Sequence, residues 1–208
     1  RPGADVPADD PRWEAWASAV LSAFDRFQLL CAVRRGEWGV EGINQRVADL
    51  LTRRGLLRAD KLWYEGRPVL VTRNDYSLGL MNGDIGIALR IREPALHAGQ
   101  AETEALRVAF PRNDGKGGIR FVLPSRLPDV ETVFAMTVHK SQGSEFEHAV
   151  LVLPEARNPV LTKELVYTAI TRASQHFSLL ESRPGVLEAA VQTPVRRISG
   201  LDLSAAAN

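Results

Sequence analysis

Two apolar runs separated by a polar turn constrain this chain more than any other feature. Val133-Phe134-Ala135-Met136 and Ala149-Val150-Leu151-Val152-Leu153 read as short buried strands. Between them lies Thr137-Val138-His139-Lys140-Ser141-Gln142-Gly143-Ser144-Glu145-Phe146. In an α/β sheet such a turn leaves the carboxyl edge of a strand, where ligands bind. Its exposed backbone N–H groups and hydroxyls suit phosphate. Gly143 lets the backbone approach a ligand closely.

The rest of the chain extends this pattern. Residues 1–11 are rich in Pro, Asp and Ala and read as a linker or frayed end. Trp13, Trp16, Ala17, Val20, Leu21 and Phe24 recur at helical spacing after Asp10-Pro11. Residues 27–33 form a continuous apolar run, a buried strand that ends at Arg34-Arg35-Gly36. Residues 40–51 read as a helix with Ile43, Val47, Leu50 and Leu51 inward. Residues 52–62 are a polar connector.

From Trp63 the character changes. Short strands are expected over 68–72, 85–91, 106–110 and 119–123. Asn74-Asp75, Met81-Asn82-Gly83-Asp84, Asn113-Asp114-Gly115 and Gly117-Gly118 supply turn chemistry. Residues 92–103 read as a longer surface loop. Several short strands with such turns suggest a small barrel. The strand–helix alternation then resumes. Strands are expected over 133–138, 149–153 and 177–180, and helices from Thr162 and over 185–192. The first of those helices directs Leu165, Val166, Ala169 and Ile170 inward.

Composition excludes several alternatives. The chain has 208 residues, 45% hydrophobic and 25% charged, with a net charge of +1. That is ordinary for a globular chain, so nucleic-acid binding has to rest on a local patch. Cys31 is a single cysteine inside an apolar run, which reads as a core residue in a reducing, cytoplasmic setting. No run approaches the ~18 residues of a membrane span. The four histidines lack zinc-ligand spacing, so no metal is assigned. His139 and Ser141 sit without a G-x-S-x-G elbow or an orienting acid, which argues against a hydrolase triad. The chain opens on Arg1 rather than Met, as expected of a fragment or a processed chain.

The central stretch resembles motif V of the superfamily 1 DNA helicases, TxHxxQGxEF. Glu164-Leu165-Val166-Tyr167-Thr168-Ala169-Ile170-Thr171-Arg172-Ala173 resembles their motif VI, LxYVAxTRA. Residues 30–40 and Asn82-Gly83-Asp84-Ile85-Gly86 are similar to the RecD-like 5′-to-3′ helicases, and the resemblance covers about residues 27–200. It implies a RecA-like parallel sheet flanked by helices, domain 2A, with an inserted small SH3-like β-barrel, domain 2B. The expected division is 1–26, linker and helix; 27–61 and 131–208, domain 2A; 62–130, the insertion.

Site residues follow from the resemblance. Arg172 takes the arginine-finger place, where a planar fork of donors stabilises charge on a transferred γ-phosphoryl group. Without the motif, it would read as a helix-end arginine complementing the dipole. Arg34, with Arg35 second, matches the motif IV position that reaches ATP. Gln142, Gly143 and Glu145 complete the implied ATP contacts, Glu145 on a ribose hydroxyl. Thr137, His139 and Lys140, with Asn74 and Asn82 on the barrel, are the implied contacts to single-stranded DNA phosphates. Arg34, Gly143 and Arg172 are expected to converge on one edge of the sheet. Thr137, His139, Asn74 and Asn82 are expected to share a groove.

No G-x-x-x-x-G-K-[ST] loop is present in the sequence. The resemblance places that loop and the Mg²⁺ ligands in a preceding RecA-like domain. ATP and Mg²⁺ then belong to the full-length protein, with neither expected on this chain alone. Implied partners are single-stranded DNA, that N-terminal domain, and RecB- and RecC-like subunits, in double-strand-break repair. A stand-alone single-stranded nucleic-acid-binding module is the alternative.

Overall fold

The computed structural model describes residues 1–3, 5–94, 102–112, 115 and 117–194. In chain order it opens with α1 (Arg12–Asp25), β1 (Phe27–Cys31) and α2 (Val40–Arg53). Next come β2 (Pro68–Val71), β3 (Ile85–Glu93), β4 (Thr103–Pro111), β5 (Ile119–Val122) and β6 (Val130–Thr132). The chain ends through β7 (Ala135–Thr137), β8 (Phe146–Leu153), α3 (Lys163–Ile170), β9 (Ala173–Glu181) and α4 (Val186–Val191).

Two sheets result. A four-stranded parallel sheet runs β7-β1-β8-β9, and a five-stranded antiparallel sheet runs β5-β4-β3-β2-β6. The apolar runs of β1 and β8 become the inner strands of the parallel sheet because both faces are covered there. Leu30, Ala149, Leu151 and Leu153 pack with Leu165, Val166 and Ala169 of α3. Cys31, Ala135 and Val152 pack with Ile43 of α2 on the other face. Burial pushes the Cys31 thiol up to about 12. Thr162 caps α3, its hydroxyl accepting from the Leu165 N–H at 3.3 Å.

The antiparallel sheet has a core on each face. Val69, Val71, Ala88, Val108, Phe110 and Val122 face one side. Gly86 is required there, since a Cβ would lie 2.5–2.7 Å from the Phe110 ring. Ile87, Leu89, Ala109 and Ile119 face the other side, covered by Trp13, Ala17 and Leu21 of α1. The expected barrel is therefore an open five-stranded sheet in its hydrogen bonding, because no ladder joins β5 to β6 among the described residues.

Several expectations need correction. Residues 1–11 are not all a frayed end: Val6 is buried against this core, and Trp13 Nε1 donates to the Pro7 carbonyl at 2.9 Å. The strand expected over 133–138 is shorter, Ala135–Thr137, and an unexpected strand in the other sheet, Val130–Thr132, precedes it. Val130–Thr132 pairs with β2 and Ala135–Thr137 with β1, with buried Val133 at the switch. Val130-Glu131-Thr132 carries no apolar run that would mark it as a strand. β6 also carries the antiparallel sheet past the expected 130/131 boundary. Leu50 and Ile170 are exposed rather than inward, and Asn44 takes the buried place on α2. β3 and β4 extend into the expected 92–103 loop, whose centre lies outside the described residues, as do Asn113 and Asp114 of one expected turn.

Candidate functional site

Strand register places the functional residues on two opposite edges of the parallel sheet. Cys31, Thr137 and Val152 are level with one another near the carboxyl edge. Phe146 and Ala173 are paired at the amino edge. β7 and β8 run parallel on either side of β1, so the chain between them must return from one edge to the other. A 3₁₀ turn over Val138–Ser141 and the segment 142–145 make that return. The two ends of the central stretch are thus separated by the run of β8 from Phe146 to Val152, about 20 Å at ~3.3 Å per residue.

The carboxyl edge opens into a crevice of about 730 Å³. The loop after β1, with Arg34, Arg35 and Trp38, forms one wall, and residues 154–158 form another. Thr137 and His139 lie at its floor. The Thr137 hydroxyl accepts from the Lys140 N–H at 3.2 Å, which caps the 3₁₀ turn. Its own O–H remains a donor. Trp38 Nε1 donates to Glu155 at 2.9 Å and clasps the two walls, with Arg46 over its ring at 4.8 Å. His139 also borders a second crevice of about 870 Å³, shared with Gln142, Thr162 and Thr168.

A buried amide braces this edge. β7 is an edge strand, and Asn44 of α2 occupies its outer side. Asn44 Nδ2 donates to the Ala135 carbonyl and its Oδ1 accepts from the Ala135 N–H, both at 3.0 Å. The side chain imitates a neighbouring strand and closes the open ladder. Nothing in the periodicity of α2 marked Asn44 apart from a tolerated polar residue on an apolar face.

Arg34 and Lys140 meet at one carboxylate. Glu131 of β6 accepts from Arg34 at 2.9 Å and from Lys140 at 3.0 Å. Partial burial pushes the Glu131 carboxyl up, but hydrogen bonds from Arg34 and Lys140 outweigh this and hold it below the usual carboxylate range. Glu131 lies outside every sequence motif, so only the three-dimensional pairing reveals it.

The amino edge is built differently. Gly143, Ser144 and Glu145 are exposed on the way to it, and Gln142 is exposed at the end of the 3₁₀ turn beside His139. Gly143 has φ +87, a left-handed conformation that explains the glycine, and open space surrounds the position of a Cβ. Arg172 follows the C-cap of α3 and precedes β9. Its Nη1 donates to the Ser144 carbonyl at 2.9 Å, its Nε to the Thr168 carbonyl at 3.3 Å, and its Nη2 to the Thr171 hydroxyl at 3.3 Å. Its carbonyl accepts from Phe146 N–H at 2.8 Å. Neutral oxygens thus hold a half-buried guanidinium, and no ion pair to it occurs among the described residues.

The expected convergence of Arg34 with Gly143 and Arg172 does not occur. Gly143 and Arg172 come together at the amino edge, and Arg34 stands with Thr137, His139 and Lys140 at the other. Asn74 and Asn82 are not among the residues lining the crevice. They close their own turn, with Asn82 N–H donating to Asn74 Oδ1 at 2.7 Å.

Residues 132–180 match the UvrD-like helicase C-terminal domain. Over 95% of its length the chain is 37% identical to the RecBCD enzyme subunit RecD of Haemophilus influenzae, and it covers 28% of that protein. It is 38% identical to the same subunit of Mycobacterium tuberculosis H37Rv, over 89% of this chain and 30% of that one. The chain is RecD-like. An ATP-dependent RecD2 DNA helicase of Deinococcus radiodurans is 32% identical over 72% of this RecD-like chain and 19% of its own length. The RecD-like chain thus spans under a third of these curated relatives. Among solved structures, a Pif1 helicase from Candida albicans aligns over 92% of this chain and 52% of its own, at TM-score 0.43 and 13% identity, too distant to carry an argument.

Proposed function

We propose that this RecD-like chain is the C-terminal motor portion of an ATP-dependent 5′-to-3′ DNA helicase that acts in double-strand-break repair. The observation that carries this reading is Arg172, a guanidinium without an acidic partner, beside exposed Gly143 and Glu145 at an open sheet edge. A fixed fork held by neutral acceptors keeps its full charge for an incoming phosphoryl group. Arg172 would stabilise the transferred γ-phosphoryl, and Gln142, Gly143 and Glu145 would meet the rest of the nucleotide. No cluster of metal-ligating side chains occurs among the described residues. The family resemblance assigns the Mg²⁺ ligands and the phosphate-wrapping loop to a preceding RecA-like domain.

Single-stranded DNA would cross the carboxyl-edge crevice, with backbone contacts from Thr137, His139 and Lys140. Arg34 joins this DNA face in the present reading rather than the nucleotide, since it shares that edge with them. The antiparallel sheet is the counterpart of the SH3-like insertion, and Asn74 and Asn82 of its turn would extend the path. In the cell the protein would work in the cytoplasm, with RecB- and RecC-like subunits as partners in an exonuclease V assembly.

The test is ATP turnover. The 208-residue chain should hydrolyse no ATP, because it lacks a G-x-x-x-x-G-K-[ST] loop. The protein carrying the preceding RecA-like domain should show ATPase activity stimulated by single-stranded DNA. Robust turnover by the chain alone would overturn the half-motor reading. A stand-alone binding module is the second reading, favoured by Arg34, Arg35 and His139 lining one crevice. Nanomolar binding of single strands without a partner would support it.

A further inference from the structure

Arg34 lines the carboxyl-edge crevice, Lys140 follows its lining residue His139, and one carboxylate engages both cations. The cations come from loops of the parallel sheet, after β1 and after β7. Glu131 comes from the antiparallel sheet. One Glu131 oxygen accepts from Arg34 at 2.9 Å and the other from Lys140 at 3.0 Å. Two anionic oxygens on one centre, each taking a cationic donor, reproduce how a phosphodiester presents its non-bridging oxygens. The side chains of Arg34, Glu131 and Lys140 are 52%, 40% and 32% exposed. Pairs so open to water contribute little to stability and exchange readily. The triad's main effect is therefore on the charge that the crevice offers.

We propose that Glu131 is a built-in stand-in for a nucleic-acid phosphate, displaced when a single strand enters the crevice. It keeps Arg34 and Lys140 extended and pre-oriented while halving the charge they present. A strand entering the crevice exchanges its phosphate for the Glu131 carboxylate and releases a tie between the two sheets. Glu131 is a positioning residue in this scheme and touches the DNA only through the cations it yields. The proposal rests on the reading that this crevice takes single-stranded DNA.

Anisotropy of a labelled oligo-dT, titrated with the 208-residue chain over a salt series, tests it. Glu131→Gln should tighten binding about threefold to tenfold at low salt. The slope of log K against log salt should steepen by about 0.7 for each cation freed. Glu131→Asp keeps the charge and should keep the parental slope, a result that loss of a mere tether does not predict. Should Glu131→Gln fail to fold, Glu131→Thr removes the same charge with a residue suited to a strand. Parental binding matched by the neutral variants in affinity and slope would overturn the role of Glu131 alone. Absence of oligo-dT binding by parent and variants alike would remove the crevice reading, and this inference with it.

Discussion

The two edges of the parallel sheet hold their arginines in opposite ways. At the carboxyl edge Arg34 is tied to a carboxylate that also holds Lys140. At the amino edge Arg172 is tied to the carbonyls of Ser144 and Thr168 and the hydroxyl of Thr171. Both arrangements fix a guanidinium in space. Only the second leaves its charge uncompensated. A neutral cradle suits a group that must meet charge appearing in a transition state, where a rival anion would cancel the benefit. A charged cradle suits a binding surface that must release its ligand as the strand moves.

The largest expected effect breaks the amino edge. In the proposed full-length helicase, Arg172→Ala should lower kcat by about 10³-fold or more while leaving single-strand affinity near parental. Arg172→Lys should rescue little, since a point charge reproduces neither the fork nor the bonds to Ser144 and Thr168. Parental turnover in Arg172→Ala would end the distinction between the edges. A smaller effect is expected from Asn44→Ala. It strands the N–H and C=O of Ala135 on the outer side of β7. Thermal or urea unfolding should show a loss of about 1–3 kcal/mol. An unchanged stability would mean that the β7 edge does not depend on this brace.

Much of this contrast could be read in the sequence, and the remainder could not for definable reasons. The parallel sheet was legible because β1 and β8 are apolar on both faces, and α3 because Thr162 is a strong cap. The meeting of the Gly143 segment with Arg172 was legible because both motifs are local. The opposite placement of Arg34 was not, because it depends on β7 and β8 being parallel and flanking β1. Glu131 carries no periodic signal, and its partners are 97 and 9 residues away in sequence. β6 was hidden for a related reason: Val130-Glu131-Thr132 is three residues long, half-buried and without an apolar run.

Thr137→Ala and His139→Ala sharpen the comparison from the carboxyl edge. Each should weaken single-strand binding about fivefold, the loss of one hydrogen bond of ~1 kcal/mol. ATP turnover at saturating DNA should stay near parental, the converse of Arg172→Ala. A loss of turnover equal to that of Arg172→Ala, with affinity unchanged, would place these residues with the nucleotide instead.

The smallest effect concerns acidity at the carboxyl edge. The Glu131 carboxyl is held below its ordinary value of 4.5, so its pairing stabilises the fold above that value. The contribution should fade as pH drops from about 4.5 through the depressed folded value, where the carboxylate takes up a proton and releases both cations. The group is 40% exposed, so solvent screening limits the contribution to well under ~1 kcal/mol. Unfolding of the parental chain and Glu131→Gln should therefore be compared from pH 6 down to pH 3. The parental chain should hold a slight advantage at pH 6, and the two curves should meet in acid. Arg172 has no carboxylate partner among the described residues, so Arg172→Gln should displace the parental curve by an amount that does not vary with pH over this range. If Arg172→Gln converges with the parent in acid as Glu131→Gln does, a carboxylate must compensate Arg172 as well, and the two edges are alike.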